Sequence, residues 1–599
     1  MFTTRPELRG TFGMAASTHW LASQVAMRLL ERDGNAFDAA TAAGMMLQVC
    51  EPHMNGPAGD VPLIIHDAKT GKNRVVCGQG PLPEKATIDA YRALGLEIVP
   101  GTGLLAAVVP GAFDAWMLMF RDYGSLSLRD VMEPAIHYAE EGCPIPAGAV
   151  DILRAAERLL TEHWPANAAI YMPDGTLPEP QSLYKNPALA ETWRRLLEIG
   201  EAAGADRKAQ VDAARDAWSR GFVAEEIDRF CREEPHFDVT GQKNTGFLTA
   251  DDMGKWSASY EDPVSMDYHG HTVLKCGPWS QGPVQLQSLA LLKDAGLEKM
   301  DPRGADFIHT IVEAMKLSYA DREAFYGDPD FIDVPLDVLL SEEYNAERRK
   351  LIGEEASLEF RPGTVEGFGG VVDYDGAVAR RLPADQLDGF GGGEPTAGPG
   401  AGPKLHVGDT CHLDVIDRWG NMVSATPSGG WLQSSPVIPK LGFPLGTRAQ
   451  MAWLDEGTAA SLVPGKRPRT TLTPSLALKD GKAYMPYGTP GGDQQDQWQL
   501  IFLLRHIHHG MNLQEAIDCP SFHIEHFPGS FYPRQASPGR LVMEGRFDAE
   551  VIAELKRRGH DVAVGADWSE GRMSAASWTD GVMRAAANPR GMQGYAVGR

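Results

Sequence analysis

Residues 407–428 read V-G-D-T-C-H-L-D-V-I-D-R-W-G-N-M-V-S-A-T-P-S, and the organisation of the whole chain follows from this stretch. Leu413, Val415 and the Met422–Val423 pair flank D-R-W-G-N, a turn-forming run, so the pattern predicts a β-hairpin. The residues before it have the opposite character. Positions 362–403 carry G-F-G-G, G-F-G-G-G and T-A-G-P-G-A-G-P, a composition that builds no packed element. A Gly/Pro-rich approach therefore delivers the chain to the start of a buried strand, with Thr410 at the junction. A peptide bond so placed is suited to cleavage after Asp409. Cleavage makes Thr410 an N-terminal residue, a hydroxyl nucleophile with its own α-amine beside it as base. An α-amine with a pKa of about 8 works near neutral pH, where a lysine amine at about 10.4 does not.

Composition narrows the function classes. The formal charge of −24 argues against nucleic acid or an anionic membrane surface as partner, since both reward clustered Lys and Arg. No apolar run reaches the roughly 18 residues that span a bilayer. The opening M-F-T-T-R-P-E-L-R-G-T-F-G-M lacks the apolar core of a secretory signal. The 7 cysteines are scattered and never form C-x-x-C, the usage of a reducing compartment, so the expected location is cytoplasmic.

Residues 14–50 show two helical periods broken at D-G-N, the second rich in small residues from Phe37 to Leu47. The run N-G-P-A-G-D (55–60) forms a tight turn before the apolar strand V-P-L-I-I-H (61–66). It is either a simple turn or one that brings backbone N–H groups against a ligand. Residues 104–230 read as mostly helical, Thr249 as a helix N-cap, 268–278 as strand–turn–strand, and 303–326 as an amphipathic helix. Beyond Thr410, strands and turns precede a helix at Gln497–His509. Mixed elements without regular β-α-β alternation favour stacked α+β layers.

Five stretches, taken together in this order, resemble the γ-glutamyltransferase family, a branch of the N-terminal nucleophile hydrolases. They are G-M-A-A-S…L-L-E-R-D-G-N-A-F-D-A-A-T-A (13–42), F-L-T-A-D-D-M (247–253), E-A-M-K-L-S-Y-A-D-R-E-A-F-Y-G-D-P-D-F (313–331), D-T-C-H-L-D-V-I-D-R-W-G-N (409–421), and G-K-R-P-R-T-T-L-T-P-S (465–475) with G-T-P-G-G (488–492). The resemblance implies a zymogen that cuts itself into a large subunit, 1–409, and a small one, 410–599. The two stay together as a heterodimer in a four-layer αββα sandwich; a dimer of such pairs is left open. The family's Thr-Thr-His appears as Thr410-Cys411-His412, which puts the nucleophile on Thr410.

The implied chemistry needs no cofactor or metal. In the precursor the Thr410 hydroxyl attacks the Asp409 carbonyl, the acyl group moves from N to O, and water hydrolyses the ester. In the mature enzyme the same hydroxyl attacks a small-molecule amide, γ-glutamyl or a related acyl, and water or an amine acceptor resolves the acyl-enzyme. The family draws its oxyanion donors from the glycines of P-G-G, here Gly491 and Gly492. A family hydroxyl that bonds the nucleophile falls on Ser428, with Thr426 as the fallback. Thr470 and Thr471 stand where the family has Ser-Ser at the substrate carboxylate, and Gln450 where a Gln helps hold the substrate amino group.

Three departures bear on the substrate. The Arg that binds a γ-glutamyl α-carboxylate corresponds to Gln79, which cannot give a bidentate charged pair. The Asp-Asp that holds the α-amino group becomes Ala452-Trp453, and an Asn becomes Gly430. A standard γ-glutamyl compound is therefore not the expected substrate, unless another cation such as Arg448 reaches in. The His-rich runs R-H-I-H-H-G (505–510) and F-H-I-E-H-F (522–527) lack zinc-ligand spacing. The glutamines of G-D-Q-Q-D-Q-W-Q (492–499) either line the pocket or cap the next helix. Two classes remain: an amidase or acyltransferase using Thr410, including an acylase on non-glutamyl amides, and a non-catalytic binding protein of the same fold.

Overall fold

The computed structural model describes residues 2–380 and 410–599, so Asp409 and the 381–408 part of the Gly/Pro-rich approach lie outside the described residues. Two seven-stranded sheets form the centre, each antiparallel throughout. The first runs Tyr595–Gly598, Gly13–Ser17, Leu413–Asp417, Met422–Ala425, Val61–Asp67, Lys72–Gly78, Ser259–Glu261. The second runs Leu8–Gly10, Val582–Ala587, Ser574–Thr579, Lys482–Gly488, Ser475–Lys479, His271–Lys275, Val264–Tyr268.

The two-residue period of a strand sorts side chains between layers. In the first sheet Leu413 and Val415 enter a core shared with the helices Trp20–Glu31, Ala36–Cys50, Ala112–Tyr123 and Leu128–Glu141. Ile416, Met14, Ile64 and Val75 point the other way and meet Leu274, Leu476, Ala576 and Met583 of the second sheet. The outer face of that sheet packs on Pro283–Leu292, Ala305–Phe325 and Gln495–His509. The order helix, sheet, sheet, helix is the αββα sandwich. Residues on both sides of Thr410 interleave in both sheets, so a cut there leaves two pieces joined by strand ladders.

The hairpin forms as expected: Leu413 pairs with Ala425 and Ile416 with Met422. Helix Ala36–Cys50 is buried along its whole length, and a β-carbon at Gly44 would lie 2.3 Å from the Trp116 ring. Two readings need correction. The 303–326 segment is not amphipathic; nearly all of Ala305–Phe325 is buried, because its polar face is satisfied internally. Arg322 pairs with Asp493 at 2.5 Å, Asp321 with Arg348 at 3.1 Å, and Glu313 with Lys316 at 2.7 Å. Within the Gly-rich approach, Tyr374–Ala379 forms a short helix, started by the Asp373 side chain accepting from Gly376 N–H. Among the described residues no helix is long and apolar enough to cross a membrane.

A buried pair beyond Thr410 gives a pH signature. His523 Nδ1 lies 2.7 Å from Glu570. Burial alone would lower the His523 pKa, but Glu570 and Glu525 outweigh it and raise it to about 9. A folded pKa above the unfolded value of about 6.5 means the contribution is full below that value and fades as pH rises through 9. Glu570→Gln should therefore lower stability by about 2 kcal/mol at pH 6, with the difference from wild type shrinking towards pH 10. Denaturant titrations across that range check it; a pH-independent difference would contradict the ion pair.

Candidate active site

The parity that sends Leu413 into the helical core sends Thr410, His412 and Asp414 towards the second sheet. His412 Nε2 lies 3.0 Å from Asp414 Oδ1, and Asp414 Oδ2 accepts from the Ser574 hydroxyl at 2.9 Å. The other ring nitrogen lies 2.9 Å from Thr426 Oγ1. Gly488 closes on this ring: a β-carbon there would stand 2.2 Å from His412 Cε1. The strand Lys482–Gly488 thus ends against His412, and the turn Thr489–Gly492 begins beside the strand that Thr410 precedes.

Thr410 is buried and bridges Ser428 across the hairpin, with its hydroxyl donating to Ser428 Oγ at 3.2 Å. Ser428, rather than Thr426, is the hydroxyl that contacts it. Cys411 faces away, as strand alternation requires: its thiol donates to Glu51 Oε2 at 3.0 Å and accepts from Asn55 at 3.1 Å. Burial first, then Glu51, pushes that thiol well above the usual range, so it is no rival nucleophile.

Ser428 and Asp60 exchange backbone bonds of 3.0 and 2.8 Å. The N-G-P-A-G-D turn therefore brings two distant segments of the backbone into contact. A β-carbon at Gly59 would fall 2.0 Å from Ser428 O, and one at Gly56 2.3 Å from Gly430 O. Asp60 receives Arg448 through Nη2 at 2.8 Å and Nε at 3.3 Å, with Thr470 Oγ1 at 3.5 Å. Burial raises the Asp60 pKa, and Arg448 opposes that rise without cancelling it. The Arg448 guanidinium sits 5.6 Å from the Trp431 ring and 5.8 Å from Phe531. Gln281 ties this group to the P-G-G turn: its N–H donates to Thr470 O, and its side chain donates to Gly492 O at 3.3 Å.

The other expected positions differ in how they are used. Val61 pairs with Gly78, so continuing the ladder sets Gln79 opposite Asp60. Gln79 is fully buried, yet its Oε1 has no partner, and neither has the buried Thr471 hydroxyl. Gln450 is already saturated: it accepts from Tyr532 N–H at 3.0 Å and donates to Thr447 at 3.0 Å. Trp453 is flanked by the guanidinium groups of Arg534 at 4.3 Å and Arg380 at 5.2 Å. Arg534 donates to the backbone oxygen of Ala452 at 2.9 Å, and Arg380 pairs with Asp373 at 3.8 Å. Near Thr18, whose N–H donates to His412 O, a cavity of about 210 Å³ is bounded by Glu51, His53, Pro490 and Arg572.

The remaining candidates resolve into structure. Gln494 takes the N-cap position of the helix Gln495–His509 without a side-chain capping bond, and the other glutamines bond the second sheet and its neighbours. Gln495 accepts from Thr473 N–H, Gln497 from Ile524 N–H, and Gln499 from Ser475, fastening their helix to the second sheet and its neighbours. His506 and His508 bond Tyr484 and Tyr268, each at 2.7 Å, on different faces. A group invisible to local spacing, His309, Glu313 and His560, brings ligand-type atoms within 4.8 Å. Its carboxylate is already neutralised by Lys316 and by Arg361 at 3.0 Å.

A four-layer sandwich with a buried threonine heading an inner strand is the fold of the N-terminal nucleophile hydrolases. The sequence profile of the gamma-glutamyltranspeptidase family matches residues 22–598, and the chain belongs to that family, whose enzymes act on amide bonds. It is 32% identical over 600 residues to the glutathione hydrolase-like YwrD proenzyme of Bacillus subtilis (strain 168), covering 98% of this chain and 99% of that one. The solved structure of LmbA2991HD matches at 53% identity over all of both chains, with a TM-score of 0.91. The cephalosporin acylase from Bacillus halodurans matches at 27% identity and a TM-score of 0.81, over 100% of this chain and 97% of that one.

Proposed function

We propose that this enzyme cuts itself between Asp409 and Thr410 and then uses Thr410 as the nucleophile of an amidase that forms an acyl-enzyme. The observation that carries the reading is the Thr410 hydroxyl, buried and held on Ser428 at 3.2 Å. After cleavage the Thr410 α-amine takes the hydroxyl proton, the hydroxyl oxygen attacks the amide carbon, and the C–N bond breaks as the amine leaves with that proton. Water, or a second amine, then releases the acyl group. Gly491 and Gly492 supply backbone donors to the oxyanion, Ser428 orients the nucleophile, and Thr470 and Thr471 face the acyl part.

The acyl group is not a standard γ-glutamyl unit. Gln79 and Ala452-Trp453 stand where an Arg and two carboxylates would hold an α-amino acid head group, and desolvating a charge without a partner costs several kcal/mol. A γ-glutamyl anilide should therefore be a poorer substrate than simple acyl anilides, judged by kcat/KM. A hundredfold preference for the γ-glutamyl compound would overturn this. Mass spectrometry of the small fragment after brief exposure to a good anilide should find the acyl group on Thr410; acylation at any other residue would remove the mechanism. The scattered buried thiols support a reducing compartment as its location.

A further inference from the structure

The P-G-G turn has no side chain of its own at Gly491, where φ is +103°, or at Gly492, so its orientation is set from outside. Gln281 reaches it. The Gln281 backbone N–H donates to Thr470 O at 2.9 Å, and its side-chain amide donates to Gly492 O at 3.3 Å. One residue therefore holds the glycine turn against the Thr470–Thr471 segment. An amide can present either its oxygen or its NH2, and only the NH2 end suits a backbone oxygen. Arg322 decides which end faces the turn. Its Nη1 donates to Gln281 Oε1 at 2.7 Å, and because a guanidinium has donors and no acceptor, the NH2 end is left to Gly492.

The same guanidinium grips both segments a second time. Nη1 lies 2.5 Å from Oδ1 of Asp493, the residue directly after Gly492. Asp493 also accepts from the Ser530 N–H at 2.8 Å and hydroxyl at 2.6 Å. On its other edge, Arg322 Nε donates to Glu323 at 2.8 Å, and Glu323 receives Arg469, the residue directly before Thr470, at 3.1 Å. Two cations and two anions are thus buried together and balance. The guanidinium itself is fully buried, 4.5 Å from the Tyr319 ring and 4.7 Å from Phe527. A buried ion pair is weak evidence for stability, since apolar residues of similar volume often serve as well. What a planar fork adds is direction.

We propose that Arg322 is a positioning residue for the amidase reaction: through Gln281 and Asp493 it sets the P-G-G turn relative to Thr470, and so aims the backbone donors at the oxyanion. It touches no reacting atom and acts from the far side of the turn. The proposal rests on the Thr410 reading above.

The test follows acylation of the processed small fragment by intact mass in a single turnover, with steady-state anilide kinetics beside it. Arg322→Gln should slow acylation by about 10²-fold and lower kcat to match, with KM within about threefold of wild type, because misplaced donors lose most of their worth in the transition state. The fraction of fragments that finally acylates should stay full. A purely structural role predicts the reverse, a smaller fraction acylating at the wild-type rate. Arg322→Lys restores the charge without the fork, so most of the defect should persist. Gln281→Met leaves every charge paired and removes only the amide link; it should slow acylation by about tenfold. If Arg322→Gln fails to fold or to be cut, Gln281→Met decides alone. Wild-type rates in Gln281→Met, full recovery in Arg322→Lys, or a loss confined to the acylating fraction would each overturn the Arg322 assignment while leaving Thr410 chemistry intact. Wild-type turnover without any acyl group on Thr410 would overturn the underlying reading instead.

Discussion

Thr410→Ala is expected to yield a folded, uncut chain with amidase activity reduced by at least about 10⁴-fold. One oxygen serves both steps, so its loss removes self-cleavage and turnover together. The residue is buried, but its hydroxyl makes a single bond to Ser428, and the strand behind it is held by the Ser17–Leu413 and Leu413–Ala425 pairings. The fold should therefore survive, with a melting temperature within a few degrees of that of an uncut reference. Thr410→Ser keeps the oxygen and should cut slowly and retain part of the turnover. Gel analysis, intact mass and anilide kinetics on the same samples check all three statements. Full activity in the alanine variant would place the chemistry elsewhere, and the geometry leaves Cys411 no claim to it.

Gly491→Ala is the second large effect. Gly491 has φ of +103°, a conformation that L side chains rarely adopt, and a β-carbon there would lie 2.8 Å from the Trp498 ring. On the proposed mechanism, the substitution turns the backbone donors away from the developing oxyanion. Removing one such donor costs about 10²–10³-fold in kcat where it has been measured, and that is the loss expected here. KM should change far less, because the oxyanion exists only on the way through the transition state. On the same mechanism, self-cleavage passes through an oxyanion of the same kind and should slow in parallel. A variant that keeps wild-type kcat while folding normally would show that the donors lie outside the P-G-G turn.

What the sequence made readable was local or periodic. The hairpin after Thr410 announces itself through alternating apolar residues around D-R-W-G-N, and the same alternation turns Cys411 from the site. The two helices of 14–50 and the capped turn at Thr249 were equally visible. What it hid joins residues far apart in the chain. Asp60 and Arg448 are separated by 388 positions, and neither carries a spacing signal. The network His412–Asp414–Ser574 likewise crosses from one sheet to the other. The Ala305–Phe325 helix misled for a related reason. Its charged residues resemble a solvated face until Asp493, Arg348 and Arg361 arrive from elsewhere to pair with them inside the core. The glycines of 55–60 were legible as a turn, but their purpose was not. They let two backbone segments meet beside Thr410.

The most direct measurement is N-terminal sequencing, with intact mass, of purified wild-type protein after prolonged incubation. The account predicts two fragments, the smaller spanning 410–599 and beginning Thr-Cys-His-Leu-Asp. A fragment that begins elsewhere, or a single uncut chain with full amidase activity, would contradict it.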